Sequence, residues 1–157
     1  MEQKPQISGQ LKIIRIIHFA IMIGSIIFGV LIFFMLSSSD YAIMETDSPL
    51  VYVPILAAVV LVPIAHIMFT QKLKEAVKQD ELRDKLFNFQ TPQIIRLALL
   101  EAVALLAIVT CLLTNNMLNF ITFIVVVGYM GILFPTSSRL AEYLQLSKED
   151  REKLEAG

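Results

Sequence analysis

The stretch Ile13–Leu36, IIRIIHFAIMIGSIIFGVLIFFML, decides the fold, because its 24 positions include only two ionisable side chains. A helix needs about 20 apolar residues to cross the ~30 Å hydrocarbon core of a bilayer. Lipid cannot pair free backbone groups, so a run of this length predicts a membrane-spanning helix. None of the apolar runs alternates with period two, which argues against strands. Three further runs of comparable length follow, at about 50–70, 92–113 and 117–134.

The composition supports an integral membrane protein. Of 157 residues, 56% are apolar and only 17% are charged, where about 25% charged is typical of soluble domains. The net charge of −1 excludes a nucleic-acid partner held by bulk positive charge. The single cysteine excludes an internal disulfide and a cysteine-based zinc cluster. We therefore expect one membrane domain over residues 1–157, with no metal and no cofactor assigned.

The basic residues fall on one side of the predicted spans. The link between the first two spans contains only the acidic charges Asp40, Glu45 and Asp47, and the Asn115-Asn116 link contains none. The positive-inside rule then predicts that both termini are cytoplasmic, in a multi-pass protein of the inner (cytoplasmic) membrane. The thirteen basic residues are Lys4, Lys12, Arg15, Lys72, Lys74, Lys78, Arg83, Lys85, Arg96, Arg139, Lys148, Arg151 and Lys153.

The predicted fold is all-α: a four-helix transmembrane bundle of two antiparallel hairpins with cytoplasmic helical extensions. The short link at 115–116 requires the third and fourth spans to be antiparallel neighbours. Apolar residues recur at helical spacing in the cytoplasmic segment 71–91 and in the tail 136–157. The apolar side of the tail fits either a solvated helix end or a docking surface for a partner.

Glu101 is the most costly polar residue in the predicted spans. It lies nine residues past Pro92, or ~13 Å along a helix, close to the membrane midplane. Tyr129 falls at a comparable depth in the fourth span, so a hydrogen bond between the two side chains is feasible. Glu101 is then either a protonated carboxyl hydrogen-bonded between helices or the binding site of a proton or small cation.

His18 and His66 are expected at similar depth in the first two spans. Each could be a buried histidine with a backbone or water partner. Together they could form a proton relay with Glu101 or two axial haem ligands. Arg15 and Arg96 lie near cytoplasmic span ends, from which their side chains can extend to the membrane surface.

Residues 98–109, ALLEAVALLAIV, carry a resemblance. This segment looks like the ion-binding helix of the proteolipid ring subunit of rotary ATP synthases, in which a carboxylate precedes a small residue and an aliphatic run. The resemblance implies that Glu101 carries an ion. The preceding helix of that family is glycine-rich, whereas residues 50–70 contain no glycine. The whole chain resembles small uncharacterised four-helix membrane proteins of bacteria, a resemblance that implies no activity.

Three functions remain open. Neither a phosphate-binding loop nor a nucleophile elbow, paired-histidine metalloprotease motif or dinucleotide fingerprint is present, so we assign no catalytic residue. The first prediction is an accessory or structural multi-pass membrane protein, with the lipid bilayer and a second copy or a membrane protein as partners. The first alternative is proton- or cation-linked transport at Glu101 with His18, His66 and Tyr129. The second is a haem-binding electron carrier.

Overall fold

The chain folds into α-helices. The computed structural model describes residues 3–36 and 48–155, and no strand occurs in these two ranges. The predicted link with Asp40, Glu45 and Asp47 lies outside the described residues. A 3-10 turn at Pro49–Tyr52 leads into the second helix. The helices are α1 (Gln3–Leu36), α2 (Val53–Val77), α3 (Leu82–Thr114), α4 (Met117–Ile132), α5 (Ser137–Tyr143) and α6 (Lys148–Glu155).

Three helical segments are long and apolar enough to cross a membrane: Gly9–Leu36, Pro49–Val77 and Leu82–Thr114. A fourth span exists if α4 and α5, which meet at 79°, count as one bent pair. With 16 residues, α4 alone is about 24 Å long. These helices indicate a membrane protein with three or four spans, which is a coarser result than the predicted bundle of two hairpins.

The helices α2 and α3 extend beyond their predicted spans. α2 continues to Val77 and α3 begins at Leu82, so the segment 71–91 consists of two helix ends and a short turn. Pro63 and Pro92 lie inside α2 and α3, and each helix continues through its proline. The helical extensions expected from the apolar spacing are therefore present.

The helix α3 is central, because it packs against α1, α2 and α4. Small side chains such as Ala104 and Ala107 face these neighbours and are fully buried, which lets the helix backbones approach closely. We call the cluster around them the membrane core. Its buried members are Ile32, Leu36, Leu97, Leu100, Val103, Ala104, Ala107, Ile108, Cys111, Phe123, Val126 and Met130.

Gly29 permits the closest contact between α1 and α4. A β-carbon at this position would overlap the ring of Phe123, so only glycine fits without movement of the ring. The backbone of α1 at Gly29 therefore lies directly against the aromatic ring of α4.

The tail folds back on its own chain. Leu140 of α5, Leu144 directly after it and Leu154 of α6 are buried. They belong to a second cluster, the tail core, which lies where the helices carry their charged residues. Other residues of the same chain therefore cover these three leucines. The tail core contains Leu11, Ile14, Phe69, Ala76, Leu82, Leu86, Phe89, Leu140, Leu144 and Leu154.

Candidate functional site

Glu101 lies on the side of α3 rather than in the membrane core. Leu100 and Val103 face the core, and each residue turns a helix by 100°, which leaves Glu101 half-buried at its edge. Ala98 and Ala102, on adjacent turns, are exposed. Within residues 3–36 and 48–155, the Glu101 carboxylate makes no hydrogen bond and no ion pair.

Tyr129 does not meet Glu101. It is half-buried on α4, and no hydrogen bond joins its hydroxyl to Glu101 in the described part of the chain. The depth estimate brought the two residues to the same level, but depth alone does not fix the rotation of a helix. The rotation of α3 is set by the residues that it buries, which are apolar at positions 97, 100, 103, 104 and 107.

His18 is the most completely buried polar residue of the four predicted site residues, with 0% exposure. Its Nε2 lies 3.0 Å from the carbonyl oxygen of Met130. Its Nδ1 lies 3.4 Å from the amide nitrogen of Gln93. A carbonyl only accepts and an amide nitrogen only donates, so one neutral tautomer, with the proton on Nε2, satisfies both contacts. The ring also meets the edge of Phe134, with centroids 5.2 Å apart.

His66 is exposed on α2, away from this network. No hydrogen bond or ring contact joins it to His18 among the residues with described positions. The same part of the chain holds no group of three or more His, Cys, Asp or Glu residues arranged to bind a metal ion. No hydrogen bond or ring contact among the described residues therefore joins His18, His66, Tyr129 and Glu101 to one another.

A polar network that the sequence did not reveal surrounds the end of α4. Gln93 donates to the Leu133 carbonyl at 3.4 Å. Arg15 donates from Nε to the Pro135 carbonyl at 3.2 Å and from Nη2 to the Ser137 hydroxyl at 2.8 Å. We call Arg15, His18 and Gln93 the α4 collar, because they supply donors to carbonyls at and just beyond the end of this helix.

The α4 collar has a physical reason. The last carbonyls of a helix have no partner within the helix. Pro135 disfavours a continuation of α4, because it lacks an N–H group and its ring crowds the carbonyl four residues earlier. In a membrane each unpaired carbonyl is costly. The pairing of a proline-terminated span with polar residues at the start of two other spans was the sequence signal that could have revealed the network.

Arg96 does not reach the surface as expected. It is 2% exposed, and its guanidinium carbon lies 4.4 Å from the centroid of the Phe69 ring. Its Nη1 is buried without a hydrogen-bond partner among the described residues. Phe69 packs against Phe89 and Tyr143, so aromatic rings from α2, α3 and α5 cover this end of the bundle. The prediction that Arg96 extends to the membrane surface is wrong, because the guanidinium is buried against the Phe69 ring.

Comparisons with known proteins leave the chain without a family assignment. No protein-family model, no curated protein and no solved structure matches it. The local resemblance of residues 98–109 to the proteolipid subunit of rotary ATP synthases has no further support from these comparisons. The fold and its contacts are therefore the basis on which a function can be inferred.

Proposed function

We propose that this chain is an accessory or structural multi-pass membrane protein that acts by assembly in the bilayer, with α3 as its contact to a second copy. The observation that carries the proposal is Glu101: a carboxyl on the outward side of α3 with no hydrogen bond in the described part of the chain. A polar group left unpaired in an apolar medium costs several kcal/mol. A contact that supplies a partner for Glu101 removes this cost.

The outward side of α3 is suited to a helix–helix contact. Ala98 and Ala102 are exposed four residues apart, and small residues at this spacing let two membrane helices approach closely. Large apolar side chains continue the same exposed side at Ile95, Leu106, Val109 and Leu113. Glu101 lies beside the two alanines, where close approach would bring another helix to its carboxyl group.

Glu101 of a second copy can provide the hydrogen-bond partner that Glu101 lacks among the described residues. In a two-fold assembly the same surface meets itself, so Glu101 of each copy lies at the same depth. A protonated carboxyl both donates and accepts a hydrogen bond. Two such groups therefore pair with each other without any further residue.

Sedimentation or light scattering in mild detergent tests this assembly. We expect a dimer or larger oligomer for the natural chain. Glu101→Gln retains a hydrogen-bond donor and an acceptor, so we expect the oligomer to persist. Glu101→Leu retains neither and should weaken self-association about tenfold. Ala102→Leu separates the helices and has a larger effect. Ala20→Leu, at another exposed alanine on α1, is the matched control. A monomeric natural chain, or equal effects of Ala102→Leu and Ala20→Leu, would contradict the proposal.

Proton- or cation-linked transport at Glu101 is the second candidate. The supporting observation is the same free carboxyl, which no hydrogen bond in the described residues occupies. Carbodiimide labelling that depends on pH, together with ion flux in liposomes, tests it. Transport requires that Glu101→Gln abolish flux while the oligomer persists. Unchanged flux in this variant, or an absence of labelling, excludes transport through Glu101.

We also propose that both termini lie in the cytoplasm and that the chain resides in the inner membrane, on the basis of the one-sided basic charge. The chain has one cysteine, Cys111, so a Cys111→Ser background allows single-cysteine labelling. We expect a membrane-impermeant maleimide to label Asn115→Cys in intact spheroplasts and Lys78→Cys only after permeabilisation. Labelling of both variants from the same side would contradict the predicted topology.

A further inference from the structure

An apolar groove follows α1 on the side next to the end of α4. It has a volume of about 380 Å³ and begins at Arg15. From Arg15 to Ile23 the helix rises ~12 Å, which is close to the ~15 Å depth of one half of the hydrocarbon core. The groove therefore has the length of an acyl chain in one leaflet. Its lining residues are Arg15, Ile16, Phe19, Ala20, Ile23 and Phe134.

The only charge in this lining is the guanidinium of Arg15. The contacts with Pro135 and Ser137 hold Nε and Nη2 in place, while Nη1 makes no hydrogen bond within the described residues. No carboxylate there forms an ion pair with Arg15. Lys12 is exposed one turn earlier on α1. A fixed, uncompensated cation thus stands at the end of an apolar groove.

A second groove provides an internal comparison. It lies between α1 and α4 nearer to the opposite end, has a volume of about 540 Å³, and is lined by apolar residues and glycine alone. Its α1 residues run from Ile26 to Phe33. Both grooves are therefore lined by apolar residues, but only the groove at Arg15 has a charged side chain in its lining.

We propose that the groove at Arg15 binds one acyl chain of an anionic phospholipid, with the lipid phosphate paired to the Arg15 guanidinium. The planar guanidinium donors match the geometry of a phosphate group, and phosphate is the anion that a phospholipid places at the membrane surface. A free phosphate ion would contact only Arg15 and would leave the apolar lining uncovered. A hydrocarbon chain covers that lining, so we infer a lipid as the ligand. The site belongs to the leaflet at the N-terminal part of α1, and it does not depend on assembly through α3.

Native mass spectrometry of the purified chain tests this site with phosphatidylglycerol and phosphatidylcholine of identical acyl chains. Both lipids carry the phosphate, but the choline of phosphatidylcholine is a cation that offsets the phosphate charge and is repelled by Arg15 and Lys12. We therefore expect the anionic lipid to bind about tenfold more tightly. Arg15→Gln abolishes the preference, and Ala20→Phe, which fills the groove, weakens both lipids. Arg83→Gln, at an exposed position on α3, is the charge-matched control and leaves the preference unchanged.

Arg15 also has a structural contact, so a further variant separates the two roles. Ser137→Ala removes one hydrogen bond of Arg15 but leaves its charge, and we expect the lipid preference to persist. An equal loss in Ser137→Ala and Arg15→Gln would overturn the proposal, as would equal affinity of the natural chain for both lipids. Displacement of the lipid by inorganic phosphate, or a change of oligomeric state in Ala20→Phe without a change in lipid binding, would overturn it as well.

Discussion

The two ends of the bundle are built by different means. At the end that contains the start of α1 and the turn between α2 and α3, the α4 collar, the aromatic rings around Arg96 and the tail core form several contacts between helices distant in sequence. At the opposite end, the short turn between α3 and α4 relies on local contacts. Asn115 adopts a left-handed conformation, φ 49°, and the Asn116 side chain accepts from the Leu118 amide at 2.9 Å.

This difference reflects the groups that each end must satisfy. The turn at 115–116 joins two helices that are already neighbours, so a helix cap suffices. The other end must close a span that stops at Pro135 and must also place the tail under the bundle. Side chains from α1 and α3 are needed there, because a proline-terminated helix leaves carbonyls without partners. We therefore expect substitutions at the collar and tail end to destabilise the protein more than those at the opposite end.

The largest effect is expected in the tail core. Leu144 has 0% exposure, and Leu144→Ala should lower the free energy of unfolding by about 2–5 kcal/mol, since it leaves a cavity. Leu113→Ala at the opposite end, where the side chain is 71% exposed, should change it by less than about 0.5 kcal/mol. Reversible unfolding in mixed detergent micelles measures both. Similar losses would show that the tail core does not stabilise the bundle.

The next effect is expected at the α4 collar. His18→Leu keeps a similar side-chain volume but removes the contacts of the ring with the Gln93 amide and the Met130 carbonyl. Each of these groups keeps a second partner in Leu133, so we expect the loss of the two hydrogen bonds to cost about 1–3 kcal/mol. His66→Leu is the matched control, because His66 is exposed, and it should be nearly neutral. Unfolding in the same micelles distinguishes them. If the two histidine variants lose the same stability, the collar has no structural role.

A smaller loss is expected where α1 meets α4 between the two ends. Gly29→Val places side-chain atoms against the Phe123 ring. We expect a cost of about 1 kcal/mol, the lower end of the range for overpacking, because the ring can shift. Gly24→Val is the control, because a β-carbon there would have no described atom within 4 Å beyond its own helix. Thermal denaturation of both variants gives the comparison. Equal midpoints would mean that the ring moves aside freely.

The smallest change in stability is expected at the end near the turn between α3 and α4, where a substitution should stabilise the protein. Asn119 is fully buried, and neither its Oδ1 nor its Nδ2 has a hydrogen-bond partner among the described residues. Asn119→Ala removes these unpaired groups and should stabilise the protein by about 1 kcal/mol. An increase in the denaturation midpoint supports this. A clear decrease would show that Asn119 has a polar partner in the membrane-embedded protein.

The long helices and the helical tail could be predicted from the sequence, whereas the contacts between them could not. The length of each apolar run predicted the long helices, and apolar spacing predicted that the tail is helical. The same spacing could not predict what Leu140 and Leu154 contact, because periodicity identifies a face but not its partner. For the candidate site, depth along the spans paired Tyr129 with Glu101 and His18 with His66, but depth does not determine which way each side chain faces.

The sequence by itself determined that several helices are long and apolar enough to cross a bilayer, since backbone pairing and bilayer thickness act on every residue of a run alike. Only the tertiary structure decided that α3 lies at the centre, that Arg96 is buried against Phe69, and that His18 contacts the end of α4. These outcomes depend on the rotation of each helix. That rotation is set by how side chains of different helices fit together, which no single segment encodes.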